Sequence, residues 1–292
     1  MVHRPASNMH MKTPKKTRLL LVLACGATAG LLSFLQSTSA APLQEDEEGF
    51  TKLGPPKRGE WRDSFKEPFQ SYEKYIGGGV NRKSEKRSTF YIQPLGGAGK
   101  TYKDTLERMR EYAEAFFGVT AKVLEPIPMF EEALEKKRSQ YDATMIIHLL
   151  ADRIPEDALV YIGITEKDLY SEGLNFVFGE ASLNWRCGVY SLIRYQTKDE
   201  ALFTRWSLNL LAHESGHILS IEHCVTYACV MQGANNLRED DGHPMHLCPI
   251  DLKKVLWNTG MNREDRYRKL QPLYEKWGLK AEAAWVSKRL GK

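Results

Sequence analysis

Hydrophobic and polar positions along the chain predict strands and helices in turn from residue 88 onwards. Short apolar runs of strand length occur at 89–95, 120–125, 158–164, 174–179 and 188–195. Apolar positions three and four residues apart predict helices at 101–117, 130–140 and 200–219, and again from residue 249 onwards. Helices that alternate with strands in this way are typical of α/β proteins, so we predict an α/β (α+β) domain over residues 88–292.

The helix predicted over 200–219 carries histidines on its apolar face. Phe203, Trp206 and Leu210 step by three and four residues, and the same stepping continues onto His213 and His217. An imidazole on the core-facing side of a helix needs a polar partner, because a buried polar group without one is costly. Two such rings on one face therefore indicate that both bind the same partner.

The segment around these histidines reads HESGHILSIEHC and predicts a catalytic zinc site. His213 and His217 lie four residues apart, so both can present a nitrogen to one metal ion. His223 supplies a third nitrogen if the chain turns back after the helix. Three neutral imidazoles with an open fourth position are typical of a catalytic zinc. Glu214 would then be the general base for a zinc-activated water that hydrolyses peptide bonds.

Two other interpretations of the motif stay open at this point. The HExxH pattern could be a coincidence on an amphipathic helix, but a satisfied core histidine explains one such residue better than three beside a carboxylate. Alternatively, the chain could be a non-catalytic zinc-containing module that binds peptides. The presence of Glu214 favours catalysis, because a purely structural site has no need of a base.

The residues after the third histidine extend the pattern. HExxHxxGxxH followed by a methionine in a tight turn beneath the metal is the metzincin pattern. Here Cys224, Cys229 and Met231 follow, and C-P-I-D runs from Cys248 to Asp251. This resembles the archaemetzincin family, whose members carry HExxHxxGxxHC-x4-C-x-M and a later C-x-x-C. Further segments that resemble the family are RSQYDATMIIHLL at 138–150, YIGITEKDLY at 161–170 and LNFVFGEA at 174–181.

The resemblance covers roughly residues 88–260. It implies a metzincin-like zincin catalytic domain with a mixed twisted sheet, a zinc-binding helix and a helical C-terminal part. It also implies that Met231 is the Met-turn residue and that an extended peptide substrate lies along an edge strand, which we expect at about 185–193. Ser220 stands where the family has glycine. A serine with a left-handed backbone costs on the order of 1 kcal/mol.

The N-terminus predicts export. Basic residues 12–18 precede an apolar stretch at 19–35, and the small residues STSAAP offer a cleavage point after Ala40. We therefore predict a signal peptide over 1–40 and a secreted or periplasmic protein. The apolar stretch is short for a membrane span and is interrupted by glycines. The alternative is a lipid anchor at Cys25 that holds the protein outside the cytoplasm.

The cysteines allow two outcomes. The resemblance implies a second, structural zinc on four cysteines, but this chain has Asp251 at the fourth position and an additional Cys187. Three thiolates and a carboxylate can still bind zinc. In an oxidising compartment, however, thiols pair, so we favour two disulfides over the second zinc. The first expected pairing is Cys224–Cys229 with Cys187–Cys248.

Charge and composition limit the kinds of molecule that this protein is expected to bind. The formal net charge is +4, but residues 1–40 carry five Lys or Arg and no acid, which leaves 36 basic against 37 acidic side chains after cleavage. Nucleic-acid binding normally needs a strongly basic face and is not expected. We expect a monomer without a membrane span that acts on a peptide or protein substrate. Residues 41–87 are polar and predict a linker or N-terminal extension, part of which packs on the domain through its aromatic side chains.

Overall fold

The computed structural model describes residues 49–291. The predicted signal peptide at 1–40 and the alternative anchor Cys25 lie outside the described residues. The strands are β1 (Thr89–Pro94), β2 (Thr120–Val123), β3 (Leu134–Glu135), β4 (Gln140–Asp142), β5 (Ala158–Thr165), β6 (Leu169–Tyr170), β7 (Gly179–Ala181) and β8 (Cys187–Ser191). The helices are α1 (Trp61–Ser64), α2 (Tyr72–Ile76), α3 (Ala98–Thr101), α4 (Lys103–Phe117), α5 (Ala143–Ala151), α6 (Glu200–Ile218), α7 (Leu237–Asp241), α8 (Pro249–Thr259), α9 (Arg263–Lys276) and α10 (Lys280–Arg289).

Five strands form the main sheet in the order β2-β1-β5-β8-β7. The pairs β1–β2, β1–β5 and β5–β8 are parallel, whereas β7 runs antiparallel to β8. Every residue of β5 and β8 is buried, as expected for parallel strands that are covered on both faces. A smaller sheet joins β3, β4 and β6. The α/β class predicted from the sequence is confirmed.

Successive side chains of the main sheet enter two separate cores. Phe90 and Ile92 of β1 lie in the larger core, with α4, α6 and the C-terminal helices, whereas Tyr91 lies in the smaller core under α5. This division follows from the period of two along a strand. Helix α6 therefore packs on one face of the sheet, and its C-terminal turns lie near β7 and β8.

Three sequence predictions about elements are wrong. The strand predicted at 174–179 is mostly a loop, with an isolated bridge at Val177 before β7 begins at Gly179. The helix predicted at 130–140 is a short 3-10 turn followed by β3 and β4, and the helix of this region is α5. The charged run EEALEKKR offers little apolar surface to bury, whereas Asp142 caps α5 by accepting a hydrogen bond from Met145 N at 3.1 Å. The expected edge strand at about 185–193 contains β8, which lies inside the sheet, and the strand at the edge is β7.

The described part of the N-terminal extension packs on the domain. Trp61 and Tyr75 are buried at 2% and 1% exposure. The Tyr75 hydroxyl donates to Leu219 O at 2.8 Å, directly after α6. No helix within residues 49–291 is both long and apolar enough to cross a membrane.

Candidate metal centre

The metal-binding motif lies at the C-terminal end of α6. Asp199 caps the start of this helix by accepting a hydrogen bond from Leu202 N at 3.0 Å. The helix ends at Ile218, and Ser220 follows with φ 68°, a left-handed conformation that turns the chain back. This reversal returns His223 to the face of α6 that carries His213 and His217.

The three histidines converge as a ligand set for zinc. Nε2 of His213 and Nε2 of His217 lie 3.1 Å apart, and ring nitrogens of all three residues lie within 4.8 Å of one another. Two nitrogens bound tetrahedrally to zinc at about 2.0–2.1 Å would be separated by about 3.3 Å. Nδ1 of both rings faces a backbone carbonyl oxygen, which leaves the lone pairs on the two Nε2 atoms, so the site fits a metal ion.

The second nitrogen of each ring has its own partner. Nδ1 of His213 lies 2.8 Å from Val230 O, and Nδ1 of His217 lies 2.7 Å from Ile221 O. Nδ1 of His223 lies 2.9 Å from both carboxylate oxygens of Glu67. A ring that donates its Nδ1 proton to an oxygen keeps Nε2 deprotonated for the metal.

Burial further favours neutral imidazoles. His213 is 4% exposed, and this burial holds the pKa of His213 well below its ordinary value. The ring is therefore neutral at physiological pH, which is the form that ligates zinc.

Glu214 is fully buried beside the ligand set. Neither carboxylate oxygen has a hydrogen-bond partner among the described residues. Burial raises the pKa of Glu214 to about 8. Gly179 of β7 leaves room for this carboxylate, because a Cβ at that position would lie 2.8 Å from Glu214 Oε1. The carboxyl group is therefore buried next to the edge strand of the main sheet.

Met231 lies beneath the ligand set, where the sequence predicted the Met-turn residue. Its side chain is fully buried, and a Cβ on Gly216 would lie only 2.3 Å from Met231 Sδ. Gly216 stands between the two helical histidines, so the thioether packs directly against that turn of α6. Cys224 N donates to Met231 O at 2.8 Å and joins the two loops.

A second cluster contains Cys224, Cys229, Cys248 and Asp251, all buried. Sγ of Cys224 and Sγ of Cys248 lie 3.7 Å apart. Asp251 Oδ2 lies 3.3 Å from Sγ of Cys229 and 3.3 Å from Sγ of Cys248. Tetrahedral zinc with bonds of about 2.3 Å to sulfur and 2.0 Å to oxygen would give separations of about 3.8 Å and 3.5 Å. The four ligands therefore fit a zinc ion.

The predicted disulfides are not found. All four cysteines of the described residues are free, including the buried Cys187. Cys187 begins β8 in the smaller core, and its Sγ donates to Ile147 O at 3.6 Å. Cys248 caps α8 in the larger core. The expected pairings Cys224–Cys229 and Cys187–Cys248 are corrected accordingly, since Cys187 stands apart from the other three thiols.

Three residues near the two clusters were not anticipated from the sequence. Glu67 contacts His223, and Lys254 Nζ donates to Asp251 Oδ1 at 2.8 Å and to Gln70 Oε1 at 3.0 Å. Glu67 and Gln70 belong to the N-terminal extension, about 150 residues before the motif, and no spacing links them to it. Lys254 follows Asp251 by three residues on α8, and this spacing is a local pattern that indicates contact between the two side chains.

Comparisons with known proteins match this chain to one family. Residues 108–255 match Peptidase family M54. Archaemetzincin-2 of Mus musculus is 32% identical, over 72% of this chain and 71% of that protein. The crystal structure of archaemetzincin from Archaeoglobus fulgidus, complexed with malonate, is 31% identical with a TM-score of 0.51, and covers 57% of this chain and 99% of that chain. Archaemetzincin from Methanopyrus kandleri gives 27% identity and a TM-score of 0.55, over 61% of this chain and 99% of that chain.

Proposed function

Since the chain belongs to the archaemetzincins, peptidase family M54, we propose that Glu214 is the general base of an exported zinc peptidase. The chain is a zinc metallopeptidase, a hydrolase that acts on peptide bonds, and its substrates are peptides or proteins. This identification replaces the alternative of a non-catalytic peptide-binding module. Two points go beyond this identification and are proposed here: Glu214 acts as the general base, and the protein is exported.

The buried carboxylate of Glu214 carries the proposed mechanism. His213, His217 and His223 would hold the zinc through Nε2, and the bound zinc supplies Lewis-acid polarisation of the scissile carbonyl and of the attacking water. A carboxylate oxygen of Glu214 accepts the proton of that water and then returns it to the leaving amine. Burial supports this role, because it raises the pKa of Glu214 above the ordinary value of a carboxyl group and so makes its carboxylate a stronger base.

The edge of the main sheet supplies a place for the substrate. Strand β7 ends the described sheet and holds Gly179 against the Glu214 carboxylate. An extended peptide that adds to β7 would gain backbone hydrogen bonds and pass the metal centre with its scissile bond near the base.

Replacement of the base tests the mechanism. Glu214→Gln keeps the shape of the side chain but cannot accept the proton, so we expect peptide turnover to fall by about 10²–10⁴-fold with zinc still bound. His217→Ala is the comparison variant, since it should lose both zinc at the histidine site and turnover. Zinc content and cleavage of a quenched fluorescent peptide library would be measured for both. Cleavage by zinc-loaded Glu214→Gln at the parental rate would refute the role of Glu214.

We also propose that the protein is exported. Residues 1–40 have the charge and apolar pattern of a signal peptide, so the mature protein should begin at Ala41. N-terminal sequencing of protein recovered from outside the cytoplasm checks this, and an intact Met1 would contradict it.

We also propose a structural zinc at the second cluster, because its sulfur and oxygen atoms have tetrahedral spacing.

A further inference from the structure

A short segment of the N-terminal extension, residues 61–67, lies against the histidine site. It falls outside residues 108–255, which match the family. Trp61 opens the segment and Glu67 closes it. Trp61 and His223 meet edge to face with ring centroids 5.3 Å apart. The extension therefore reaches a metal ligand that lies about 160 residues later in the chain.

The three histidines differ in what holds them. His213 and His217 are oriented by backbone carbonyls of the catalytic domain itself. His223 is oriented by a carboxylate, with both Glu67 oxygens 2.9 Å from Nδ1. This bond is charge-assisted and therefore stronger than a bond to a neutral carbonyl. The ring of His223 is almost fully buried, at 2% side-chain exposure, so few water molecules can compete for Nδ1.

Glu67 is itself held in place. Trp61 Nε1 donates to Glu67 Oε2 at 2.9 Å. Trp61 N donates to Glu239 Oε1 at 2.7 Å, while Glu239 Oε2 accepts from Asn235 N at 2.9 Å. The indole also packs on Gly233, where a Cβ would lie 2.5 Å from it. The segment is thus fastened to the loop that follows the methionine turn.

We propose that Glu67 is a positioning residue for the zinc ligand His223, so that residues 61–67 complete the active site. This inference rests on the proposed zinc site at the three histidines. Glu67 keeps the proton of His223 on Nδ1, fixes the plane of the ring and increases the basicity of Nε2. Carboxylates that hold metal-bound histidines in this way typically contribute about 10–100-fold to metal affinity or activity.

Substitution of Glu67 tests the proposal through zinc affinity. For Glu67→Ala we expect zinc at the histidine site to bind about 10–100-fold more weakly in competition with a chelator. Glu67→Gln keeps an acceptor oxygen without the charge and should fall between Glu67→Ala and the parent. Trp61→Phe removes the N–H that holds Glu67 and should shift affinity in the same direction by less. The cobalt-substituted protein should show a changed visible spectrum in Glu67→Ala, which a purely structural role would not produce.

Lys74→Gln is the matched control. Lys74 also joins the extension to the domain, through Glu222 at 3.2 Å, but its half-exposed ammonium bonds to that carboxylate and not to a histidine ligand. Zinc affinity should be unchanged in this variant, and zinc at the cysteine cluster should be retained in all of them. Unchanged zinc affinity and an unchanged cobalt spectrum in Glu67→Ala, or in Glu67→Gln and Trp61→Phe if the alanine variant does not fold, would overturn the proposal. A parent protein that binds no zinc at the histidines would instead overturn the proposed function.

Discussion

At the scale of single residues, Ser220 shows how this chain accommodates a position where the metzincin pattern has glycine. Its φ of 68° is the left-handed backbone that glycine adopts without strain. The hydroxyl offsets part of that strain, because Ser220 Oγ donates to Leu183 O at 3.1 Å and accepts from Asn81 N at 3.1 Å. Asn81 belongs to the extension, so the serine links the turn between metal ligands to that segment.

The strain and the hydrogen bonds together predict that stability at position 220 falls in the order serine, glycine, alanine. Ser220→Gly removes strain of about 1 kcal/mol but loses two hydrogen bonds worth about 0.5–1.5 kcal/mol each, for a net loss of up to about 2 kcal/mol. Ser220→Ala loses the same bonds and keeps the strain, so it should be about 1 kcal/mol less stable than Ser220→Gly. Denaturant unfolding of the zinc-loaded proteins measures the difference. An alanine variant as stable as the glycine variant would contradict this account.

At the scale of elements, α8 carries a buried polar stripe that joins the second cluster to the extension. Asp251, Lys254 and Asn258 lie three and seven residues apart and share one face. Lys254 is 2% exposed and donates to Asp251 and to Gln70, while Asn258 Nδ2 donates to the Tyr75 hydroxyl at 2.7 Å. Asp251, which stands where the archaemetzincin pattern has a cysteine, is thus paired with a buried cation that neutralises part of the negative charge of the cluster.

The pair on α8 predicts strong coupling between two substitutions. Asp251→Asn leaves the Lys254 ammonium buried without its carboxylate and should lower the free energy of unfolding by about 3–5 kcal/mol. Asp251→Asn combined with Lys254→Met removes both charges and should recover the part of that loss that the unpaired ammonium causes, while the part that comes from weaker zinc binding remains. Chemical denaturation of the four proteins of this double-mutant cycle, each with its zinc content determined, measures the coupling. Additive effects would show that the ion pair does not act as a unit.

At the scale of the whole molecule, both candidate zinc sites belong to the larger core. The histidines are presented by α6, and the cysteine cluster links the loop after α6 to α8. Buried thiolates and imidazoles that lose their metal are left in an apolar interior, which is unfavourable. Zinc bound at both sites would therefore contribute to the stability of the fold as well as to its chemistry.

Metal analysis distinguishes this arrangement from the disulfides favoured by the sequence. We expect two zinc ions per mature chain, and a lower thermal midpoint after chelation. Thiol alkylation of the denatured, zinc-free protein without reductant should label Cys187, Cys224, Cys229 and Cys248. One zinc per chain together with a disulfide within the cluster would contradict the two-zinc arrangement.

Much of the fold and the ligand set could be predicted from local patterns. The strand at 158–164 and the helix at 200–219 were anticipated closely, because a long run of one hydrophobic period is little affected by its surroundings. The helix predicted at 130–140 is wrong, because the short elements of this region form according to the surface that each of them covers. The position of β8 inside the sheet was missed for the same reason, because strand order depends on contacts between distant segments.

The sequence by itself determined the chemistry of the main site, since the spacing of His213 and His217 places both rings on one face of a helix, with Glu214 one residue along, wherever that helix lies. Only the tertiary structure decided what surrounds them. It brought Glu67 to His223 and separated Cys187 from the other thiols, and it gave Asp251 a buried partner in Lys254. The physical reason is that ligand spacing within a helix is a local property. The partners that orient a ligand, neutralise a charge or exclude a disulfide come from segments whose proximity is created by the packing of the whole chain.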